Sequence, residues 1–377
     1  MGRTSSAGPW PPGRADLRAW LTWPVAVFAA FTAHHVGAAW WAAQGQGASM
    51  GDVLARWDAL HYARIASDGY EGARWAFLPL FPALLRVVGR PLEALTGARL
   101  ELVGAWLSLG LFAAFVAVAA AAARQARTEA ERALTPQRGL EWALLAFSPA
   151  SYVFFSAHTE ALFLLLSFVA LWSAARQRAW VAGGAAGLAA LTRNQGVLVA
   201  LVAAAWCLTG EGRWQERARR AATVALVGGA CLACFWAYQL HRTGDAFTSL
   251  AAQRHWPHAA SLEDALRALT FLNPRQPATA INLVDFGLFW LLAGLTVRLA
   301  VVQRHLAAYA ALSLLLVPLQ SETTNVARFG AVLFPVWLEA GRLGARLPRW
   351  AQALVLIAAV ALNNWFTQRF LKGAWAY

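Results

Sequence analysis

Residues 100–123 read LELVGAWLSLGLFAAFVAVAAAAA, 24 positions with one charged side chain, Glu101, near the start. A helix of that length spans the roughly 30 Å hydrocarbon layer of a bilayer. The run lacks the apolar–polar alternation of a barrel strand, and a helix satisfies its own backbone hydrogen bonds where no water is present. Comparable runs recur outward in both directions, at about 19–43, 140–156, 160–175, 179–192, 196–209, 221–240, 281–301, 306–320, 330–345 and 350–366. Thr192-Arg193-Asn194-Gln195-Gly196 is too polar for mid-bilayer, so 179–209 is read as a short hairpin in preference to one broken helix. The expected fold is an all-α polytopic membrane protein of about eleven transmembrane helices, forming one domain over 1–377.

Composition agrees. Hydrophobic residues make up 59% of the chain and charged residues 14%, a ratio that a water-facing surface cannot accommodate. The net charge of +13 does not point to nucleic acid, because the arginines are scattered through short loops and build no basic tract. More than half of the basic residues fall in the loops at 1–18, 124–138, 176–178, 213–220, 298–304 and 342–349. The positive-inside tendency therefore puts these loops and the N-terminus in the cytoplasm. Arg14 and Arg18 precede the first run, which is longer than a signal-peptide core and is read as a retained anchor with no cleavage. Met1-Gly2-Arg3-Thr4-Ser5-Ser6 matches a myristoylation pattern only by chance. Trp40, Trp41, Trp57, Trp75, Trp365 and Trp375 stand near run ends as interface anchors. Cys207, Cys231 and Cys234 lie in apolar runs, and Cys231-x-x-Cys234 is read as helix packing; neither a disulfide framework nor a zinc site is expected.

Two outer loops are long. The first, 44–99, opens with a polar and aromatic segment from Gly51 to Trp75. It continues through 77–95, where Pro79, Pro82, Pro91, Arg86 and Arg90 predict a short helix lying at the interface. In the second, 241–280, Ser261 is placed to cap an amphipathic helix through Leu262, Leu266 and Leu269, with Asp264 in its first turn.

Four polar clusters interrupt the apolar pattern: Arg56-Trp57-Asp58-Ala59-Leu60-His61-Tyr62, His158-Thr159-Glu160, Thr192-Arg193-Asn194, and Ser321-Glu322-Thr323-Thr324-Asn325 with Arg328. All map to the outer face, which suggests one polar site there. The plainer alternative is a set of salt bridges, Glu160 with Arg193 or Arg328, that only hold the bundle together. A helix over 56–66 would put Asp58, His61 and Ile65 on one face. A carboxylate and an imidazole so placed form either a general base with its orienting partner or a capped helix start. Asp52 is the rival carboxylate, in position to act as an N-cap. His34 and His35 inside the first run are read as packing groups. No Walker loop, G-x-G-x-x-G, G-x-S-x-G or H-E-x-x-H pattern is present.

The first of these clusters carries a resemblance. Arg56-Trp57-Asp58-x-x-His61-Tyr62-x-x-Ile65-Ala66-x-x-Gly69-Tyr70, followed by Ala76-Phe77-Leu78-Pro79-Leu80-Phe81-Pro82, resembles the first-loop signature of the PIG-V mannosyltransferases and their bacterial relatives. The likeness continues in Ser148-Pro149-Ala150-Ser151, in Phe155-Ser156-Ala157-x-Thr159-Glu160-x-Leu162-Phe163, in Leu191-Thr192-Arg193-x-x-Gly196, and in Arg328-Phe329 before Phe334-Pro335. The family often has Tyr, Ser and Tyr where this chain has His158, Ala161 and Phe329.

The resemblance implies a GT-C-like bundle whose first outer loop carries an acidic catalytic residue. It also implies a polyprenyl-phosphate mannose donor and a glycan or lipid acceptor. Asp58 matches the Trp-Asp pair and is the expected base. Arg56, Trp57, His61, Tyr62, Glu160, Arg193, Asn194 and Arg328 are the expected substrate-binding residues. Single displacement would invert the anomeric configuration, and the residues seen call for no metal or cofactor. Lys372 as the lone lysine, with abundant Ala and Arg, points to a bacterial source and an inner-membrane location with the site facing outward. A transporter or flippase of lipid-linked saccharides is the alternative.

Overall fold

The computed structural model describes residues 14–255, 259, 261–270, 279–320, 325–374 and 376. Every regular element among them is helical. The long α1 (Arg14–Gln46) leads into the short α2 (Met50–Leu54), α3 (Asp58–Asp68), α4 (Leu80–Leu84) and α5 (Arg90–Thr96). Next come α6 (Leu100–Gln125), α7 (Glu129–Leu134), α8 (Gly139–Ala146), α9 (Glu160–Ala175), α10 (Ala179–Ala190) and α11 (Gln195–Leu208). The remainder comprises α12 (Trp214–Thr243), α13 (Thr248–Ala252), α14 (Leu262–Ala268), α15 (Ala280–Val302), α16 (Arg304–Leu315), α17 (Val326–Ala331), α18 (Phe334–Gly344) and α19 (Arg349–Leu371).

Among the described residues, four helices, α6, α12, α15 and α19, are long and apolar enough to cross a membrane, which fits a helical membrane protein. Apolar but shorter are α9, α10 and α11, with 16, 12 and 14 residues. Proline explains where other expected runs fragment. The run at 140–156 leaves the α-helix after Ala146, because Pro149 disfavours helix at Ser148 and supplies no N–H; it continues as a 3₁₀ stretch, Ser151–Phe155. Pro335 separates α17 from α18 in the same way. In the first outer loop the stretch 77–95 forms α4 and α5 joined by a π-helical turn, Leu85–Gly89, just before Pro91. Ser261 caps α14 as expected, its hydroxyl accepting from the Asp264 N–H at 3.1 Å.

Where helices cross closely, small residues permit it. Gly183 and Gly187 of α10, spaced as a small-xxx-small pair, lie against Val224, Gly228 and Cys231 of α12. This places Cys231 as a packing residue, as expected. Thr192-Arg193-Asn194 does turn a hairpin: α10 and α11 pack against each other, and Gly196 sits directly on the backbone of Ala189 and Ala190. His35 is buried, within 3.0 Å of the Phe31 carbonyl through Nδ1 and stacked among Phe31 and Phe147. One of the expected interface tryptophans is not an anchor: Trp75 is buried and stacks on Tyr70 with ring centroids 4.5 Å apart. Trp57 and Trp365 are half-buried against the core. Trp375 lies outside the described residues.

The arginine-rich loops at 124–138, 176–178, 298–304 and 342–349 share the end of the bundle opposite the loop 44–99, and their arginines meet buried acids. Arg176 pairs with buried Glu131, Arg298 with buried Glu339, and Arg342 with both Glu141 and Glu339. Arg342 also donates to the carbonyls of Arg132, Ala133 and Thr135 at 2.9–3.2 Å, which binds α7 to α18.

The Gly196 contact generates a prediction. A methyl group there meets backbone that cannot swing aside, and overpacking of this kind costs about 1–3 kcal/mol. Gly196→Ala should therefore lower the melting temperature of the detergent-purified protein. Gly184→Ala, where a Cβ meets nothing within 4 Å, should leave it unchanged or slightly raised. Equal melting of both variants would contradict the close contact.

Candidate active site

Asp58 is the first residue of α3 and follows Trp57, whose backbone lies at φ 52°, ψ −126°. A bulky side chain at positive φ is strained by about 1–3 kcal/mol, and such strain gathers where geometry is fixed for function. Asp58 does not cap its helix: the Trp57 position makes no side-chain cap bond, and the Asp58 carboxylate turns to Arg328, whose Nη1 donates to Oδ2 at 2.6 Å. The capped-start alternative for Asp58 is thereby set aside.

Ala59, Tyr62, Ala63, Ile65 and Ala66 form the buried face of α3. Tyr62 packs edge-on against Phe77 and Phe81, while His61 stacks on Phe77 with centroids 4.8 Å apart. The Tyr70 hydroxyl donates to the Phe77 carbonyl at 2.9 Å. The two halves of the first-loop signature therefore pack on each other. The Leu80 N–H donates to the Leu191 carbonyl at 3.0 Å, tying that loop to the hairpin that carries Arg193.

Three other segments complete the site. Glu160 opens α9 and is fully buried; Arg193 Nη1 and Arg328 Nε both donate to its Oε1. Arg193 also donates from Nε to Gln195 at 3.1 Å and stands over the Phe329 ring, 5.5 Å from its centroid. His158, buried just before Glu160 in the chain, has Nδ1 2.9 Å from Ser156 Oγ, and its carbonyl accepts from Ser108 of α6 at 3.3 Å. The result is a chain of alternating charge, Asp58–Arg328–Glu160–Arg193, with two carboxylates and two guanidinium groups. Side-chain exposure grades along it: 0% for Glu160, 9% for Arg328, 11% for Arg193 and 21% for Asp58. Asp58 is the member most open to an incoming molecule.

Burial works against ionisation of Asp58, but the Arg328 charge and hydrogen bond outweigh it and hold the carboxyl below its ordinary range. Burial, followed by Arg328, pushes His158 down to about 4, so it is neutral at pH 7. His61 is also shifted down, by burial above all and against the pull of Asp58.

Asp52 has a different environment. Ser49, not Asp52, is the N-cap of α2, and Asp52 is its capping-box partner: Asp52 Oδ2 accepts from Ser49 N–H at 3.0 Å and from Ser49 Oγ at 2.7 Å. Its other oxygen accepts from Arg99 at 2.7 Å. These bonds hold its carboxyl below the ordinary range, with Ser49 the largest cause.

Of the expected site residues, Asp58, Glu160, Arg193 and Arg328 come together, with His61 and Tyr62 on the same helix as Asp58. Arg56 turns away, donating to Gln46 at 3.4 Å beside Gly373. Asn194 is exposed at the start of α11 and makes no cap bond. Trp57 supplies the strained backbone. Ser321, Glu322, Thr323 and Thr324 lie outside the described residues. Sequence reasoning passed over Asp285, a carboxylate inside the apolar run 281–301, whose Oδ1 accepts from the Ala327 N–H at 3.2 Å beside Arg328. A lone acid in an apolar run was the available signal.

Comparison with known proteins bears on the same segments. Residues 32–211 match a family model described as Mannosyltransferase (PIG-V). A protein named GPI alpha-1,6-mannosyltransferase 2 from Mus musculus is 35% identical over 150 residues, covering 38% of this chain and 30% of that protein. Its namesake from Rattus norvegicus is 33% identical over 149 residues, again 38% of this chain and 30% of the relative. The matched stretch thus spans under a third of the length of these relatives. No solved structure matches. Residues 32–211, the stretch that holds Asp58, Glu160 and Arg193, are thus similar to the PIG-V mannosyltransferases.

Proposed function

We propose that this protein transfers mannose from a polyprenyl-phosphate mannose donor to an acceptor hydroxyl, with inversion, and that Asp58 is the general base. The observation that carries the proposal is the alternating quartet, in which Asp58, the acid of the Trp57-Asp58 pair, lies against the guanidinium of Arg328. In the reaction the acceptor oxygen attacks the anomeric carbon from the face opposite the phosphate, the bond from that carbon to the phosphate oxygen breaks, and the acceptor proton passes to Asp58. Polyprenyl phosphate leaves as an anion, which Arg328 and Arg193 are placed to stabilise. Arg328 must then turn from Asp58 toward the phosphate, which frees the carboxylate at the moment a base is needed. Glu160 holds both arginines, so the salt-bridge alternative describes its role well, and that role serves the site. His61 lines the approach from α3, and buried Tyr62 supports that helix against Phe77 and Phe81.

A lipid-borne donor is supported by an apolar groove of about 520 Å³ between the π turn with α5 and the outer face of α6, lined by Val88, Leu92, Leu102, Trp106, Leu107 and Leu111 among others. The opposite face of α6 carries Ser108, which bonds the His158 carbonyl, so one helix separates the groove from the quartet. We read the bundle as crossing the membrane about eleven times, with short and broken helices making up the crossings beyond the four long ones. The quartet would then lie at the extracytoplasmic end, in a bacterial inner membrane.

The base assignment is tested with membranes or detergent-purified protein given polyprenyl-phosphate mannose. Asp58→Asn should reduce transfer at least about 100-fold while the protein stays monodisperse. Asp52→Asn should melt somewhat lower yet keep transfer near wild type. Equal transfer by wild type and Asp58→Asn would remove Asp58 from the chemistry. No transfer from any lipid-linked sugar by wild type would favour a flippase.

The pH dependence has a definite sign. A base must be unprotonated, so transfer falls as pH drops through the Asp58 pKa, which Arg328 holds below the usual value near 3.9. Arg328→Lys keeps the charge but cannot bridge both carboxylates, and burial of Asp58 is then less opposed. The acidic limb of kcat/KM for the residual transfer should move to higher pH. A limb that stays in place would sink the proposed coupling.

A further inference from the structure

Asp285 stands in the second turn of α15, wholly buried, and touches none of the reacting groups assigned above. Its carboxylate accepts from the backbone N–H of Ala327 at 3.2 Å and also bonds the backbone N–H of Asn325. Both donors belong to the start of α17, the six-residue helix whose third residue is Arg328. A carboxyl oxygen has room to accept more than one hydrogen bond, and the first N–H groups of a helix have no intrahelical partner. Burying such a polar group in an apolar run is costly unless its partners are fixed, so the contact constrains both sides. Asn325 enters the helix in the left-handed conformation at φ 70°, which makes the chain turn sharply into α17. Five of the six residues of α17 are buried, so its rotation is set by packing together with this contact at its first turn, and slippage by one residue would turn each side chain about 100° around the axis. Such a turn would take the Arg328 guanidinium off Asp58 and Glu160.

We propose that Asp285 is a positioning residue: by holding the first turn of α17 it aims Arg328 between Asp58 and Glu160. The importance of this for catalysis rests on the role proposed above for Arg328, but the aiming itself does not, and the two are tested separately.

The first test uses no sugar transfer. Melting temperatures of the full-length detergent-purified protein are measured for wild type, Asp58→Asn, Asp285→Leu, Asp285→Asn and the double variants. Asp58 and Asp285 do not touch, so without a linking element their effects add. If Asp285 aims Arg328, the melting shift caused by Asp58→Asn should shrink by roughly half or more in the Asp285→Leu background. It should be retained with Asp285→Asn, whose amide oxygen still accepts from the helix start. Additive shifts in the Asp285→Leu background, or the same shrinkage with Asp285→Asn, would overturn the proposal. Should Asp285→Leu not fold, Asp285→Ala takes its place in the cycle, where a shrunken shift supports the aiming role and an additive one overturns it. The second test is kinetic: the KM for polyprenyl-phosphate mannose should rise about tenfold in Asp285→Leu and be restored in Asp285→Asn. A wild-type KM in a folded Asp285→Leu protein would also overturn it. If no transfer is found at all, the melting cycle still decides the inference.

Discussion

Glu160 is fully buried and ionisable at the start of an apolar helix, and it is tolerable there only because Arg193 and Arg328 both donate to it. Removing one partner of a buried ion pair commonly costs about 3–5 kcal/mol, since the other is left uncompensated. That constraint reaches much of this end of the bundle. It fixes the hairpin between α10 and α11 through Arg193, α17 through Arg328, and the start of α3 through the bond from Arg328 to Asp58. The three deeper groups sum to one positive charge, which the partly exposed Asp58 carboxylate neutralises. Stability and chemistry therefore share residues, and the salt-bridge and functional readings of Glu160 describe one arrangement.

The opposite end is built from the same materials with a different outcome. Glu131, Glu141 and Glu339 are buried and met by Arg176, Arg298 and Arg342, and two of these acids are also tied into their local frame. Glu131 closes a capping box with Thr128, and Glu141 accepts from the Gln137 N–H at 3.0 Å. The positive φ of Gln177 at that end belongs to the turn between α9 and α10, and it precedes no open carboxylate as Trp57 does. One end is stapled and the other holds a carboxylate partly open, an asymmetry that charge counts along the sequence do not show.

Much of the fold was legible because its signals are long and redundant: the apolar runs at 100–123, 221–240 and 281–301 each predict a helix that is there. Single residues decided what was misjudged. Pro149 and Pro335 cut expected spans into pieces, and the pattern of hydrophobicity alone could not weigh one ring against a long apolar run. The interfacial role assigned to Trp75 failed because an indole at a run end serves a headgroup layer or a protein core equally well. In the site, the gathering of Asp58, Glu160, Arg193 and Arg328 was legible since charges beside apolar runs are few and need partners. Asn194 and Arg56 drew attention through their neighbours in sequence, and side-chain direction separates them from the cluster. Asp285 went unnoticed because a helix-period apolar run masks one acid.

The quartet has a further consequence through its zero sum. Two positive and two negative groups within hydrogen-bonding reach of one another cancel at distance, so their combined field fades faster than that of a lone charge. Such a cluster does little to draw ions from bulk water, and its grip on a phosphate begins only at contact. For a lipid-borne substrate, on the proposed function, that is no handicap, because the membrane confines the search to two dimensions and delivers the headgroup at the right depth. Capture would then depend on the fluidity and composition of the surrounding bilayer far more than on the ionic strength outside it.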